Sequence, residues 1–152
     1  PVVVKQLQGA GNSNGRFRSF TFAVDGSGAI FYGGFNNGNN GSYYIGPVGA
    51  TTGVNNGSGA WVMPKSATIR NLRLRVMGTV NSAWTAAVRT GSSESSMSDT
   101  SITCTTSTGT TVTCNNTGNT VNVSAGDYVD IHVTAPNDGG KVFHASMELS
   151  IN

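Results

Sequence analysis

The chain has 152 residues, only 11% of them are charged, and the net charge at pH 7 is +2. A charge this small and scattered argues against a nucleic-acid groove, and no apolar stretch approaches the ~20 residues of a membrane-spanning helix. Two His, two Cys and seven Asp and Glu residues are a small supply of ionisable groups. We therefore expect a protein that is not an enzyme and that binds no cofactor, nucleic acid or membrane.

The first seven residues are mostly apolar with high β propensity, and residues 9–15 after them are typical of a flexible tether. Four apolar side chains left in water at a terminus would forgo about 1.5–3 kcal/mol of burial free energy each. Two interpretations of this arm remain open: it pairs with a neighbouring subunit or another partner, or it is the first strand of its own sheet. The arm residues expected to contact a partner are Val2, Val3, Val4, Lys5 and Leu7.

The first 59 residues hold 14 of the 21 glycines, including the low-complexity run 33–41. We expect this part to supply long loops and a few edge or outer strands around the better-patterned remainder. Five aromatic residues are interleaved with Gly and Asn here, and either they pin loops onto a sheet or they form a recognition surface. These residues are Phe31, Tyr32, Phe35, Tyr43 and Tyr44.

Alternation of apolar and polar residues with a period of two recurs along the chain, and no window of twelve residues carries a helical stripe. We predict an arm and tether at 1–15 and a single all-β domain at 16–152. Its expected fold is an antiparallel jelly roll or β-sandwich of about ten short strands. The candidate strands are 2–7, 20–24, 30–32, 43–45, 60–63, 72–76, 84–88, 102–104, 112–114, 121–123, 129–133 and 143–151.

The two cysteines lie ten residues apart, with Thr108, Gly109 and Thr110 between them. If those three residues form a hairpin loop, Cys104 and Cys114 lie opposite each other on paired strands. Either a cross-strand disulfide or a pair of reduced thiols would satisfy this arrangement. A zinc site is not expected, because no histidine lies nearby in the sequence.

His132 and His144 fall on the polar side of their predicted strands, and we expect both to be ordinary surface or interface residues. No serine carries the local signature of a nucleophile. Asp127 follows a glycine in a turn, where a carboxylate commonly caps backbone amides, and Asp130 alternates outward. Together with Asp138 these carboxylates are too few and too spread out for a calcium loop, so we expect no catalytic residue and no metal site.

The basic residues are concentrated in one place. Lys65 and Arg70 precede Arg73 and Arg75, and the last two share the outward face of one predicted strand. Either they form a solvated face or they contact an acidic partner surface. Phosphate binding along a nucleic-acid backbone would need more charges than these.

Five motifs follow one another between residues 63 and 152. The segment 63–75 (MPKSATIRNLRLR) leads to a Trp-Thr-x-x-Val-Arg strand at 84–89, then to Thr-Cys pairs at 103–104 and 113–114. The segment 121–129 (VNVSAGDYV) and a closing strand of alternating apolar residues complete the order. This order resembles jelly-roll proteins of tailed-phage particles, namely head decoration (cement) proteins and related fibre tips.

The resemblance implies a non-enzymatic structural protein of a bacteriophage virion, located on the outer capsid surface. It implies a homotrimer that clamps neighbouring subunits of the major capsid protein and stabilises the head, with no catalytic residue to place on this chain. Assembly in a reducing cytosol is compatible with Cys104 and Cys114 remaining thiols, and both the disulfide and the thiol pair stay open. Two alternatives remain: a receptor- or carbohydrate-binding tip domain of a tail fibre, and a secreted carbohydrate-binding module. Binding to a glycan array would favour these alternatives over the decoration protein.

Overall fold

The computed structural model describes residues 16–24, 28–47, 49–52 and 59–151. The predicted arm and tether at 1–15, with Val2, Val3, Val4, Lys5 and Leu7, lie outside the described residues. The described residues form strands, turns and one short 3-10 helix, Glu94–Ser96. The strands are β1 (Arg16–Val24), β2 (Gly28–Gly38), β3 (Gly41–Gly46), β4 (Gly49–Thr52), β5 (Trp61–Val62), β6 (Ala67–Val80), β7 (Thr85–Gly91), β8 (Ser98–Thr105), β9 (Gly109–Asn116), β10 (Val121–Val123), β11 (Tyr128–Ala135) and β12 (Lys141–Ile151).

The strands form two antiparallel sheets. The first sheet has the order β1-β2-β12-β6-β10, and β9 pairs with β6 beyond the end of β10. The second sheet has the order β4-β3-β11-β7-β8, and β5 pairs with the start of β11. Without the outer strands β1 and β4 and the short strands β5 and β10, eight strands remain. Numbered in chain order, they run 1-8-3-6 in one sheet and 2-7-4-5 in the other, which is the jelly-roll order. The predicted all-β sandwich is therefore confirmed.

The inward side chains of the two sheets form one hydrophobic core. The ring centroids of Trp84 and Phe143 lie 5.5 Å apart, and the rings of Phe35 and Tyr43 pack around them. Towards the opposite end of β2, Phe31 stacks on Trp61 of the second sheet with 4.3 Å between ring centroids. These aromatic contacts hold the two sheets together and leave the outer face of each sheet for other roles.

The glycine-rich run 33–41 does not form the loop expected from its composition. Most of it continues β2, which lies between β1 and β12 in the interior of the first sheet. A Cβ on Gly34 would overlap the carbonyl oxygen of Phe143, and a Cβ on Gly38 would lie 2.7 Å from the Phe143 ring. Glycine here permits close approach of β12. The turn to β3 uses Asn37 and Asn40, which have positive φ angles of 88° and 40°.

Four of the five aromatic residues of this region lie on the strands predicted at 30–32 and 43–45, and Phe35 lies on β2 where a loop was expected. Phe31, Phe35 and Tyr43 are buried core residues, and Tyr44 is buried against the outer face of the second sheet. Tyr32 is half-buried on the outer face of the first sheet. The alternation of β2 and β3 was hidden by glycines, which have no side chain to mark a face.

The strand predicted at 72–76 extends over 67–80 as β6. The alternation of buried and outward side chains shifts by one residue in the middle of this strand. Ile69 and Leu72 are both fully buried although they are three residues apart, an odd spacing that a regular strand would place on opposite faces. Asn71 lies between them with a positive φ of 56°, a conformation that asparagine tolerates better than most residues. The irregularity appears opposite β12, where the pairing shifts register between Ser146 and Glu148.

Cys104 and Cys114 form a disulfide with 5.7 Å between their Cα atoms. The predicted hairpin is wrong, however, because β8 belongs to the second sheet and β9 to the first. The chain crosses between sheets at residues 106–108, and Gly109 already begins β9. The disulfide therefore ties the two layers of the sandwich together at one edge.

Candidate functional site

The outer face of the first sheet carries an open cleft of about 490 Å³. Cross-strand pairing brings Tyr32 of β2 opposite Ser146 of β12, and Ser146 opposite Arg73 of β6. We call this the arginine cleft and define it by Tyr32, Arg73, Arg75, Asn115, His144 and Ser146. Its complete lining consists of Tyr32, Arg73, Leu74, Arg75, Thr113, Cys114, Asn115, His144, Ala145 and Ser146.

The cleft follows from the order of side-chain sizes along β12. The outward residues of this strand include His144, Ser146 and Glu148. Ser146 is the smallest of them, and its cross-strand neighbours Tyr32 and Arg73 are both long. A short side chain between longer ones leaves a depression at that point of the sheet.

Tyr32 and His144 form one wall of the cleft. The Tyr32 hydroxyl and His144 Nδ1 are hydrogen-bonded, and the two rings meet edge to face with centroids 5.5 Å apart. Burial raises the pKa of Tyr32, partly offset by the charge of Arg75, while burial and the same charge lower the pKa of His144. Both side chains are therefore neutral at pH 7, and the imidazole tautomer decides whether the phenol O–H donates to Nδ1 or Nδ1–H donates to the phenol oxygen.

Arg73 and Arg75 give the cleft its charge. Both are exposed on β6, and among the described residues no carboxylate lies within ion-pair distance of either guanidinium. Glu148 is the next outward residue of β12 after Ser146. It is already engaged by Arg70, at 2.7 Å, and by Asn71, and these hydrogen bonds hold the pKa of Glu148 below its usual value. The cleft is positively charged as a result.

The outer face of the second sheet carries a different, closed arrangement. Arg89 and Asp130 form a two-point ion pair, and their side chains are only 2% and 1% exposed. The Tyr44 ring lies 4.0 Å from the Arg89 guanidinium carbon and stacks on the His132 ring at 4.9 Å. Asp130 does point outward, as predicted, but it is covered. The cluster is packed too closely to hold a ligand of its own.

Three residues beside this cluster have the residue types of a hydrolytic triad. Asp99 lies 3.2 Å from His132 Nδ1, and the Thr134 hydroxyl lies 3.4 Å from His132 Nε2. The second distance is longer than an ordinary hydrogen bond to a hydroxyl. Thr134 also stands two residues from His132 on the same strand and is exposed. We interpret the group as a surface hydrogen-bond network.

The remaining acidic candidates have structural roles. Asp127 accepts a hydrogen bond from the backbone N–H of Ser124 at 2.7 Å, which confirms the predicted turn cap. Asp138 accepts hydrogen bonds from the backbone and side chain of Asn81 at 2.8 and 2.7 Å. Burial raises the pKa of Asp138, but these hydrogen bonds and Lys141 lower it more strongly, so it lies below its ordinary value.

A second depression, of about 460 Å³, is almost entirely apolar and lies between the first sheet and β5. Phe31, Trp61 and Leu149 form its buried part, while Val62 and Ile151 at its mouth are 55% and 39% exposed. We call it the apolar cleft. Its complete lining is Ala29, Phe31, Trp61, Val62, Met63, Pro64, Lys65, Leu149 and Ile151.

Only some of the site residues predicted from the sequence line these clefts. Arg73 and Arg75 line the arginine cleft, and Cys114 lies beneath it as half of the disulfide. Tyr32 was one of five aromatic candidates for a recognition surface and His144 was an expected surface or interface residue, but sequence reasoning did not bring the two together. The alternation of the last strand predicts that His144 points outward. Its partner Tyr32 lies 112 residues away in the sequence, however, and no local pattern links the two.

Among the described residues, no group of three or more His, Cys, Asp or Glu side chains is arranged to hold a metal ion. Over that same part of the chain, no helix has the length and apolar character to cross a membrane. Comparison of the sequence with protein-family models and with curated proteins finds no match.

Proposed function

We propose that the chain is a non-enzymatic structural protein of a virion: a decoration (cement) protein that binds the outer capsid surface of a tailed phage as a trimer and stabilises the head. The observation that carries the proposal is the agreement between motif and fold. The motifs at 63–152 that resemble decoration proteins occupy one jelly roll, in which 63–75 leads into β6 and the closing motif is β12.

The apolar cleft supports self-association. Val62 and Ile151 are large hydrophobic side chains exposed at its mouth, and burying them against another copy would contribute roughly 25 cal/mol per Å² of apolar surface. Closed symmetric assembly is the usual way for a soluble chain to cover such a surface. We assign this cleft to the contact between copies in a homotrimer.

The major capsid protein is the second proposed partner. The arm residues Val2, Val3, Val4, Lys5 and Leu7 are the anchor in this proposal, because three arms from one trimer would attach at once. Several modest contacts held together in this way give much tighter retention than any one of them alone.

The interface between copies is tested with Val62→Asp and Ile151→Asp. Each places a carboxylate at the mouth of the apolar cleft, so we expect the trimer to dissociate to monomer in sedimentation experiments at micromolar concentration. Ser107→Asp is the matched control, because Ser107 is exposed in the turn between β8 and β9. A wild-type chain that is monomeric both free and on particles contradicts the trimer.

Capsid attachment is tested by imaging intact particles and by deleting residues 1–8. The proposal expects hundreds of copies per particle on the head, and a truncated protein that folds and trimerises but no longer decorates. If the truncated protein binds particles as well as the full chain, the arm is not the anchor. If it fails to fold, the arm belongs to the core.

A receptor- or carbohydrate-binding tip domain of a tail fibre is the second candidate function. The arginine cleft favours it, because aromatic, amide and hydroxyl groups such as those of Tyr32, Asn115 and Ser146 are found together in sugar-binding sites. Copy number separates the two candidates: a fibre tip is present in a few tens of copies at most, and at the tail.

A further inference from the structure

We propose that the arginine cleft binds an acidic sugar and recognises it through its carboxylate. The inference does not depend on whether the chain sits on the head or on a fibre, because it rests only on the outer face of the β2-β12-β6-β9 sheet. Each group that would contact the sugar belongs to a regular strand of that sheet.

The charge of the cleft selects an anion. Arg73 and Arg75 are two residues apart on one face of β6, so their Cα atoms are separated by roughly 7 Å. Among the described residues neither guanidinium has a carboxylate within 4.0 Å, whereas Arg70, Arg89 and Lys141 each have one. Two guanidiniums on adjacent outward positions, neither with a counter-charge in the part of the chain that the structure describes, repel each other and favour an anion between them.

The geometry of guanidinium favours a carboxylate. Its planar fork of N–H donors matches the two oxygens of a carboxylate, and such charge-assisted pairs are about twice as strong as neutral hydrogen bonds. A lone phosphate would also pair with Arg73 and Arg75. It would leave most of the 490 Å³ empty, a volume within the ~300–1,000 Å³ of typical small-molecule sites.

The walls of the cleft suit the rest of a sugar ring. Asn115 and Thr113 stand on the β9 side and Ser146 on the floor, and all three are neutral groups that exchange hydrogen bonds with hydroxyls. On the opposite wall, the Tyr32 ring offers an apolar face. Because the Tyr32 hydroxyl is hydrogen-bonded to His144 Nδ1, that ring is already fixed in the unbound protein, which lowers the entropic cost of binding.

The competing explanation is that Arg73 and Arg75 meet acidic side chains of a protein partner. A broad protein surface would rest on the two exposed arginines without reaching Ser146, which lies between longer neighbours. A ligand the size of one or two sugar rings reaches Ser146, Tyr32 and both arginines together. The recessed floor therefore favours the sugar.

The test is calorimetric titration of the full-length protein at low salt. The ligands are disaccharides that carry one glucuronate, galacturonate or N-acetylneuraminate unit, and their neutral counterparts. We expect at least one acidic disaccharide to bind at least tenfold more tightly than its neutral counterpart. Arg73→Gln and Arg75→Gln should each weaken that binding at least tenfold. The control Ser107→Asp lowers the net charge by the same one unit in an exposed turn that lines neither cleft, and it should change the affinity less than twofold.

Three results overturn the proposal. The first is that no acidic disaccharide binds, and the second is that acidic and neutral ligands bind equally. The third is that Ser107→Asp weakens binding as much as Arg73→Gln does, which indicates attraction to net charge alone. If the arginine variants lose attachment to particles while the wild-type protein binds none of the sugars, the arginines contact an acidic protein surface. That last result would leave the decoration function intact.

Discussion

Arg89 of β7 and Asp130 of β11 form a buried ion pair although both occupy outward-facing positions of the second sheet. Arg89 donates from Nε and Nη2 to the two carboxylate oxygens, at 2.9 and 2.6 Å. Tyr44 covers the guanidinium, so less than a few per cent of either side chain meets solvent. An outward position in a strand is therefore not the same as an exposed one, and the second sheet is packed on both faces: apolar side chains lie inside and this polar cluster lies outside.

Asp130→Asn removes the counter-charge of Arg89 and leaves a guanidinium buried without it. We expect a loss of about 3–5 kcal/mol in the free energy of unfolding, the usual cost of breaking a buried pair from one side. The measurement is chemical denaturation at pH 7. Asp99→Asn is the control, because its partner His132 is near the surface and such exposed pairs contribute about 1 kcal/mol or less. Equal losses in the two variants would show that the burial of the pair is unimportant.

The disulfide gives a second prediction. Replacing both residues in a Cys104→Ala/Cys114→Ala variant removes the covalent link between the sheets, whose closed loop spans ten residues. Chain entropy predicts a loss of up to roughly 3 kcal/mol. Thermal unfolding with and without a reducing agent checks it: reduction should lower the midpoint of the wild-type protein and leave the variant unchanged. A wild-type midpoint insensitive to full reduction contradicts the expectation.

The glycine run gives a third prediction. Gly34→Ala places a methyl group against the Phe143 carbonyl and 2.8 Å from the His144 ring. We expect a loss of about 1–3 kcal/mol, as for other overpacked positions, measured by denaturation. Gly118→Ala is the matched control, because nothing lies within 4 Å of the added carbon there. It should change stability by no more than about 0.5 kcal/mol.

The sequence was sufficient for the sandwich because most strands keep a strict alternation, as β11 and β12 do. It failed at β2, where Gly33, Gly34 and Gly38 have no side chains to alternate. It also failed within β6, where the left-handed conformation of Asn71 shifts the alternation of buried and outward side chains by one residue. Alternation describes one strand at a time, so it cannot tell that Cys104 and Cys114 lie on different sheets.

The candidate site was predictable only where its residues belong to one local pattern. Arg73 and Arg75 were found because both charges lie on one strand, within a single local pattern. Tyr32 and His144 were named separately, as an aromatic candidate and as a surface residue, but their contact was not predicted because it joins residues 112 positions apart. The burial of Asp130 was missed for a similar reason: the ring that covers its partner belongs to β3, far away in sequence.

The Tyr32–His144 pair predicts that acid weakens the fold. Burial and the charge of Arg75 hold the pKa of His144 below 6.5 in the folded protein, whereas the unfolded chain takes up this proton near 6.5. The unfolded state therefore binds more protons as the pH falls through that value, and the free energy of unfolding decreases. The contribution is fully present above about pH 6.5 and is lost between that pH and the lower folded pKa.

His144→Gln tests this directly, because glutamine stays neutral at every pH in the range. We expect the wild-type protein to lose stability between pH 7.5 and 5 faster than the variant does, as measured by urea denaturation at half-unit steps. The carboxylates with lowered pKa values, Asp138 and Glu148, have ordinary values near 4, so their losses fall mainly below this window. Parallel pH profiles for the two proteins would mean that His144 has the same pKa in the folded and unfolded states. That result would contradict the lowered pKa of His144 beside Tyr32.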